Sequence, residues 1–391
     1  METVVIASCA RTPIGSFQGT LSSVPGPRLG ATAIDAALKK INLEGKYVDE
    51  CIMGEVLTAG VGQAPARQAA IYAGLPPSVV CMTINKVCGS GLKAIMLGAD
   101  SVRTGQAKVV VAGGQENMSM APHLMENSRA GYRMGSVQIM DSMIKDGLWD
   151  PYNNWHMGSA AELCVKDRKF TREEQDQFAI ESYKKAQKAI ESGVFKNEIA
   201  PVTIELKKEK VTVEKDEEPG NAKFDKMPSL KPAFDKDGTI TAANASKIND
   251  GAAAAVLMSE TTARSMNIKP MAKIVAQGTF AQDPKWFTTA PVGAIKKALS
   301  SANLNVGDID LWEINEAFSV VALAAIKELE IPMERVNVYG GAVALGHPIG
   351  GSGARILTTL VHALHSQNKK RGLATLCIGG GEAVAVIVER M

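Results

Sequence analysis

Apolar residues along the chain fall into two kinds of run. Short β-branched stretches at 4–7, 79–84 and 108–112, and again at 273–276, 309–313, 336–339, 373–378 and 383–388, predict strands. Elsewhere apolar positions recur at three- and four-residue steps, as at Leu92, Ile95, Met96, Ala99 and Val102, and predict amphipathic helices. The alternation of the two predicts an α/β fold with a largely parallel sheet in each half.

The pattern also repeats. Residues 33–55 lie over 294–316 without a gap, matching Ala33/Ala294, Leu38/Leu299, Asn42/Asn303, Leu43/Leu304, Asp49/Asp310 and Glu55/Glu316. Further on, C-G-S-G at 88–91 answers G-G-S-G at 350–353, and V-V-V-A-G-G at 109–114 answers T-L-C-I-G-G at 375–380. A helix–loop–strand unit is therefore used twice. The expected divisions are an N-terminal half over 1–118, an insert over 119–249, and a C-terminal half over 269–391, with 250–268 returning to the first sheet. The insert opens Met-rich and Gly-punctuated, carries a helical pattern near 173–190, and ends in a charged strip at 207–218 that predicts a solvated hairpin.

Composition narrows the function classes. With 46% hydrophobic residues, 21% charged and a net charge of +2, the 391-residue chain is neither disordered nor built for a polyanion, so nucleic acid is not an expected partner. Six cysteines are scattered without C-x-x-C or Cys/His ligand spacing, which predicts reduced thiols, no metal site and a reducing compartment. There is no presequence pattern, peroxisomal or retention signal, or apolar run of spanning length, so a cytoplasmic location and no membrane partner are expected.

One stretch concentrates candidate chemistry. N-K-V-C-G-S-G at 85–91 puts Cys88 between a predicted strand and a predicted helix. Glycines beside Ser90 would give the turn its freedom, and the helix start would favour a thiolate, the nucleophilic form. The same residue also reads as a small buried side chain filling a gap. Three further islands stand with it: Asn315 in N-E-A-F, His347 in G-H-P-I-G-G-S-G, and Cys377 in C-I-G-G-G.

Jointly, these motifs, their order and the duplicated halves resemble the thiolase family over essentially the whole chain. The resemblance implies a five-layered α-β-α-β-α core with an inserted loop domain that binds coenzyme A and joins dimers into a tetramer. Cys88 would be the acyl acceptor, His347 its base, and Cys377 a second acid/base. Asn315 would hold a water that forms an oxyanion hole with His347, and the N–H groups of Cys88 and Gly379 would form another. Leu148, His156, Met157, Ala242, Ala243, Ser246 and Phe318 match the family's pantetheine-contacting positions. Lys223 is the basic residue offered for the 3′-phosphate, in a stretch that departs from the family pattern.

The segments F-T-T-A-P-V at 287–292 and W-E-I-N-E-A-F at 312–318 are similar to short-chain acetoacetyl-CoA thiolases of the potassium-responsive kind. Pro219 stands where that kind has a tyrosine near its potassium site, which speaks against potassium activation. The implied reaction is reversible condensation of two acetyl-CoA, with coenzyme A as product and no cofactor. A broader 3-ketoacyl-CoA thiolase of β-oxidation is the enzymatic rival. A silent acyl-CoA-binding scaffold is the rival of another class, but it would have no chemical reason to keep all four reactive side chains.

Overall fold

The computed structural model describes residues 2–205 and 209–391. Strands of the first half are β1 (Val4–Arg11), β2 (Glu50–Gly54), β3 (Val80–Ile84), β4 (Val109–Asn117) and β5 (Asn249–Ser259). Those of the second are β6 (Ala272–Ala281), β7 (Leu311–Ile314), β8 (Arg371–Ile378) and β9 (Glu382–Arg390). The main helices are α1 (Gly26–Lys39), α2 (Pro65–Tyr72), α3 (Ser90–Arg103), α4 (Met157–Arg168), α5 (Arg172–Ser192), α6 (Ala290–Ala302), α7 (Ser319–Leu329) and α8 (Ile349–Ser366).

The first sheet runs β3-β2-β4-β5-β1 and the second β7-β8-β9-β6. They touch where Val5 and Ile6 pair with Lys273 and Ala272. The expectation of largely parallel sheets is corrected: β2 is parallel to β3 and β4, and β7 to β8, but the remaining pairs in both sheets are antiparallel. The reason lies in connection. In each half the last strand returns to the middle of the sheet, from the long insert in β5 and from a tight turn after Ile378 in β9, and neither route needs a helical crossover.

Both faces of each sheet are apolar, so each needs cover twice. Alternate residues divide accordingly: Val5 and Ala7 face α1 and α2, whereas Val4 and Ile6 face the middle layer of α3 and α8. In β8, Ala374, Leu376 and Ile378 face that middle layer, while Leu373 and Cys377 face α6 and α7. Layers of helix, sheet, helix pair, sheet and helix result. Helix α8 is buried almost all round, as a helix between two sheets must be. The middle pair can approach closely because each helix brings a glycine to the contact: a Cβ on Gly91 would lie 2.9 Å from Ala354 N, and one on Gly353 would collide with Leu92.

The repeat holds in detail. Helix α1 and strand β2 correspond to α6 and β7, and Asn42 and Asn303 both end their helices in left-handed backbone, at φ +50° and +53°. Two expectations fail. Residues 336–339 form only one bridge, Trp312 with Val336, because Asn337 turns left-handed (φ +46°) and its side-chain amide takes over pairing with Ile314 at 2.9 Å in both directions. The overlay of 109–114 on 375–380 is four residues out of register, since backbone contacts to the two repeat aspartates equate Val109 with Arg371.

In the insert, α5 carries the expected helix and α4, not foreseen, precedes it. Part of the charged strip pairs as a two-stranded hairpin, Val202–Glu205 with Lys210–Val213, and Lys207 and Lys208 lie outside the described residues. Among the described residues no helix is long and apolar enough to cross a membrane.

Candidate active site

Strand β3 delivers the chain to a tight turn that Ser90 braces from inside. Its Oγ accepts from Lys86 N–H at 2.8 Å and donates to the Val87 carbonyl at 2.7 Å. The strained residue is Val87, whose φ of +45° is one that a β-branched side chain resists. The expected glycine freedom is therefore not what shapes this turn: Gly89 has an ordinary φ of −81°, and its missing Cβ serves instead to admit Ile378.

Cys88, on the next peptide, is half-buried. Its own N–H and that of Gly379 both reach its sulfur, yet burial outweighs them and pushes the thiol up to about 11. The expected thiolate is corrected to a resting thiol. Helix α3 begins only at Ser90, and the positive helix end does not overcome the loss of solvent.

His347 follows Gly346, whose φ of +108° and missing Cβ let the chain pass Asn249. Asn249 Oδ1 accepts the His347 N–H at 2.9 Å. Ser352 Oγ donates its hydrogen to the Pro348 carbonyl at 2.8 Å, so His347 Nδ1, 2.5 Å from the same oxygen, must be the protonated nitrogen. Nε2 is left as a buried acceptor without a partner among the described residues. Burial and the Arg355 charge pull the imidazole down to about 3, which keeps it neutral.

Cys377 ends β8 fully buried, its thiol pushed well up by burial and by the neighbouring Cys88. Asn315 is anchored by its N–H on the Thr375 carbonyl at 3.0 Å. Neither atom of its buried side-chain amide has a partner among the described residues, a state that a bound water or substrate would relieve.

A single pocket, about 430 Å³ counted to its mouth, gathers Cys88, His347, Cys377 and Gly379 with Leu148, His156, Met157, Ser246 and Phe318. His156 caps α4 by accepting the Gly158 N–H on Nδ1 at 3.0 Å, so its hydrogen sits on Nε2. The remaining wall is Gly147, Phe287, Ala317 and Ile349. Four candidates do not line it. Asn315 is buried but absent from its lining, Ala243 packs in a separate apolar cluster, Ala242 is exposed, and Lys223 stands exposed before a short turn at Phe224–Ser229.

Sequence reasoning missed two supporting groups. Ser352 sets the His347 tautomer, and the S-G following the G-G of the repeat was its only trace. Glu116 accepts the N–H groups of Val56 (3.0 Å), Leu57 (3.1 Å) and Gly350 (2.9 Å), and so ties the start of α8 to the end of β2. No residue pattern marks an acid buried for that purpose.

Comparison with known proteins decides the family. The model of the thiolase N-terminal domain matches residues 4–261, and that of the thiolase C-terminal domain matches 268–390. The chain belongs to the thiolase family. This thiolase is 53% identical over 392 residues to an acetyl-CoA acetyltransferase of Cupriavidus necator, covering 100% of both chains. It is 49% identical over 390 residues to that of Schizosaccharomyces pombe, covering 99% of each. Its fold matches the crystal structure of the Bacillus anthracis acetyl-CoA acetyltransferase with a TM-score of 0.98, at 42% identity over 100% of this chain and 99% of that one. It also matches the Acat5 thiolase of Ascaris suum in complex with coenzyme A, with a TM-score of 0.95 at 47% identity over the whole of both chains.

Proposed function

We propose that this thiolase is an acetyl-CoA C-acetyltransferase, converting two acetyl-CoA to acetoacetyl-CoA and coenzyme A through acetyl-Cys88. The observation that carries the reading is the meeting of two thiols, Cys88 and Cys377, with an unpartnered imidazole nitrogen of His347 in one apolar pocket.

In the first half-reaction, His347 Nε2 takes the Cys88 proton as sulfur attacks the thioester carbonyl. The N–H groups of Cys88 and Gly379 hold the oxyanion. Collapse releases the coenzyme A sulfur, which takes the Cys377 proton and leaves Cys377 as a thiolate. Once acetylated, Cys88 cannot ionise, so it places no sulfur charge beside Cys377 to oppose its ionisation. In the second half-reaction, the Cys377 thiolate takes the α-proton of a new acetyl-CoA, and the enolate oxygen lies toward protonated His347 and a water that the Asn315 amide would hold. Attack on acetyl-Cys88 forms the carbon–carbon bond. Departing Cys88 recovers its proton from His347, and every group returns to its resting state.

Leu148, His156, Met157, Ser246 and Phe318 would pack the pantetheine arm, with Ala242 and Ala243 in the loop above it and Lys223 near the 3′-phosphate. The reading includes an insert over 119–249 that serves coenzyme A binding and tetramer formation, between halves over 1–118 with 250–268 and over 269–391, in a cytoplasmic homotetramer. Steady-state rates on acetoacetyl-CoA, on longer 3-ketoacyl-CoAs and on a 2-methyl-branched analogue test it. Preference for the C4 ester supports it, and preference for long chains favours the degradative thiolase.

A further inference from the structure

The loop from Thr241 to Ser246 carries one pocket residue, Ser246, and hydrogen-bonds the segment that carries two more. Ser246 N–H donates to the Ala317 carbonyl at 3.0 Å, Ser319 N–H donates to the Asn244 carbonyl at 2.9 Å, and Ala245 bridges Phe318. Its other polar groups are held within the insert: Asn244 Nδ2 donates to Asp176 Oδ1 at 2.8 Å, and Asn244 Oδ1 accepts the Thr241 N–H at 2.8 Å. The carbonyls of Ala242 and Ala245 turn the other way. Both accept from the Lys247 ammonium, at 2.5 and 3.2 Å. That ammonium forms no ion pair among the described residues and lies 5.7 Å from the centroid of the Tyr183 ring on α5.

We infer that Lys247 is a tethered monovalent cation, whose ammonium gathers the Ala242 and Ala245 carbonyls and thereby positions Ser246 and the Ala317–Phe318 wall of the thioester pocket. The inference rests on the coenzyme A reading of that pocket. Two converging carbonyls beside an aromatic face suit a small cation, and an apolar side chain cannot satisfy them. Partial burial pulls the lysine down to about 8, opposed by the nearby charge of Glu218. The titratable groups facing it are Glu218, from the turn at Glu218–Asn221, and Tyr183, which offers its ring and whose phenol is kept neutral by burial. Lys247 touches no reacting atom and is a positioning residue.

The test is cation rescue of Lys247→Met. In buffer with choline as the only salt cation, the variant should show a KM for acetyl-CoA raised about tenfold, the scale of one lost charge-assisted hydrogen bond, with kcat changed much less. Ammonium or potassium chloride at matched ionic strength should restore most of the loss, while the wild type responds to neither. A wild-type KM in the choline-buffered variant, or a loss that ammonium and potassium leave untouched, overturns the inference. If the variant does not fold, the same salts are compared during refolding: recovery with ammonium or potassium but not choline supports the inference, and no recovery with any of them overturns it. Wild-type turnover tests the proposed activity separately, and calorimetric affinity for coenzyme A carries the comparison even where turnover is absent.

Discussion

Asp49 and Asp310 form the same clamp at opposite sides of the molecule. Asp49 Oδ2 accepts the N–H groups of Lys108 (2.7 Å) and Val109 (3.0 Å), and Asp310 Oδ2 accepts those of Lys370 (3.0 Å) and Arg371 (2.8 Å). Each aspartate also donates its own N–H to the carbonyl of the second residue, at 2.9 and 3.0 Å. The clamp fixes where the strand behind each reactive loop begins. Alanine at either position should cost about 1 kcal/mol, the net worth of a hydrogen bond, and the two losses should add because the sites share no partner. Thermal melts of the single and double variants measure this, and a double variant as stable as the wild type would show that the clamps carry no energy.

Ser352 holds His347 in the tautomer that leaves Nε2 bare. Ser352→Ala should leave a buried N–H unpaired and lower kcat/KM at least about tenfold, by populating the tautomer that cannot take the Cys88 proton. Ser352→Thr, which keeps the hydroxyl, should recover activity. Equal activity in the alanine and wild-type enzymes would remove the serine from the mechanism.

The two active-site cysteines should separate by role. Cys377→Ala should still acquire an acetyl group on Cys88, detected by intact-protein mass, while condensation and thiolysis fall by at least ~10²-fold, the lower size of a lost general acid/base. Cys88→Ala should abolish all three. Near-normal condensation in Cys377→Ala would mean that another group moves the α-proton.

Resting ionisation gives a pH signature. Since the Cys88 thiol is pushed up to about 11, its alkylation by iodoacetamide should accelerate with each pH unit through 9 and 10 without levelling, and acetyl-CoA should protect it. Cys81, half-exposed beside Arg67 and lowered by that charge and by the Cys51 thiol, should label at neutral pH without such protection. The lowered His347 has the opposite linkage. It stays neutral in the fold down to about 3 while its unfolded counterpart protonates near 6.5, so its contribution to stability is present above 6.5 and is lost as pH falls toward 3. Activity should therefore show no acid limb near pH 6.5 from this group. A plateau in Cys88 alkylation near neutrality, or a rate halved at pH 6.5 and restored by no other change, contradicts the resting neutral pair.

The pocket wall should set the chain length. Met157, Phe287 and Phe318 line it, and the last two stand edge to face at 6.3 Å between ring centroids. Replacing Phe287 by alanine should raise the rate on a 3-keto C8 ester relative to acetoacetyl-CoA. An unchanged ratio would place the acyl group elsewhere.

The sequence by itself determined what is periodic or chemically singular. Most strand and helix runs, the repeat of 33–55 on 294–316, and the grouping of Cys88, His347 and Cys377 were legible, because residue type and spacing carry them. Only tertiary structure decided the rest. Strand direction depends on which strand the returning segment meets, and no local pattern in 249–259 or 382–390 encodes that partner. The ionisation of Cys88 depends on solvent removed by distant segments, which overruled a local expectation drawn from the helix start. The His347 tautomer, the acid of Glu116 beneath the α8 loop and the ammonium of Lys247 under the Thr241 loop all depend on which backbone groups are left without partners once the chain has packed. Such demands arise only between segments far apart in sequence, so the residues that meet them look, in the sequence alone, like any serine, glutamate or lysine.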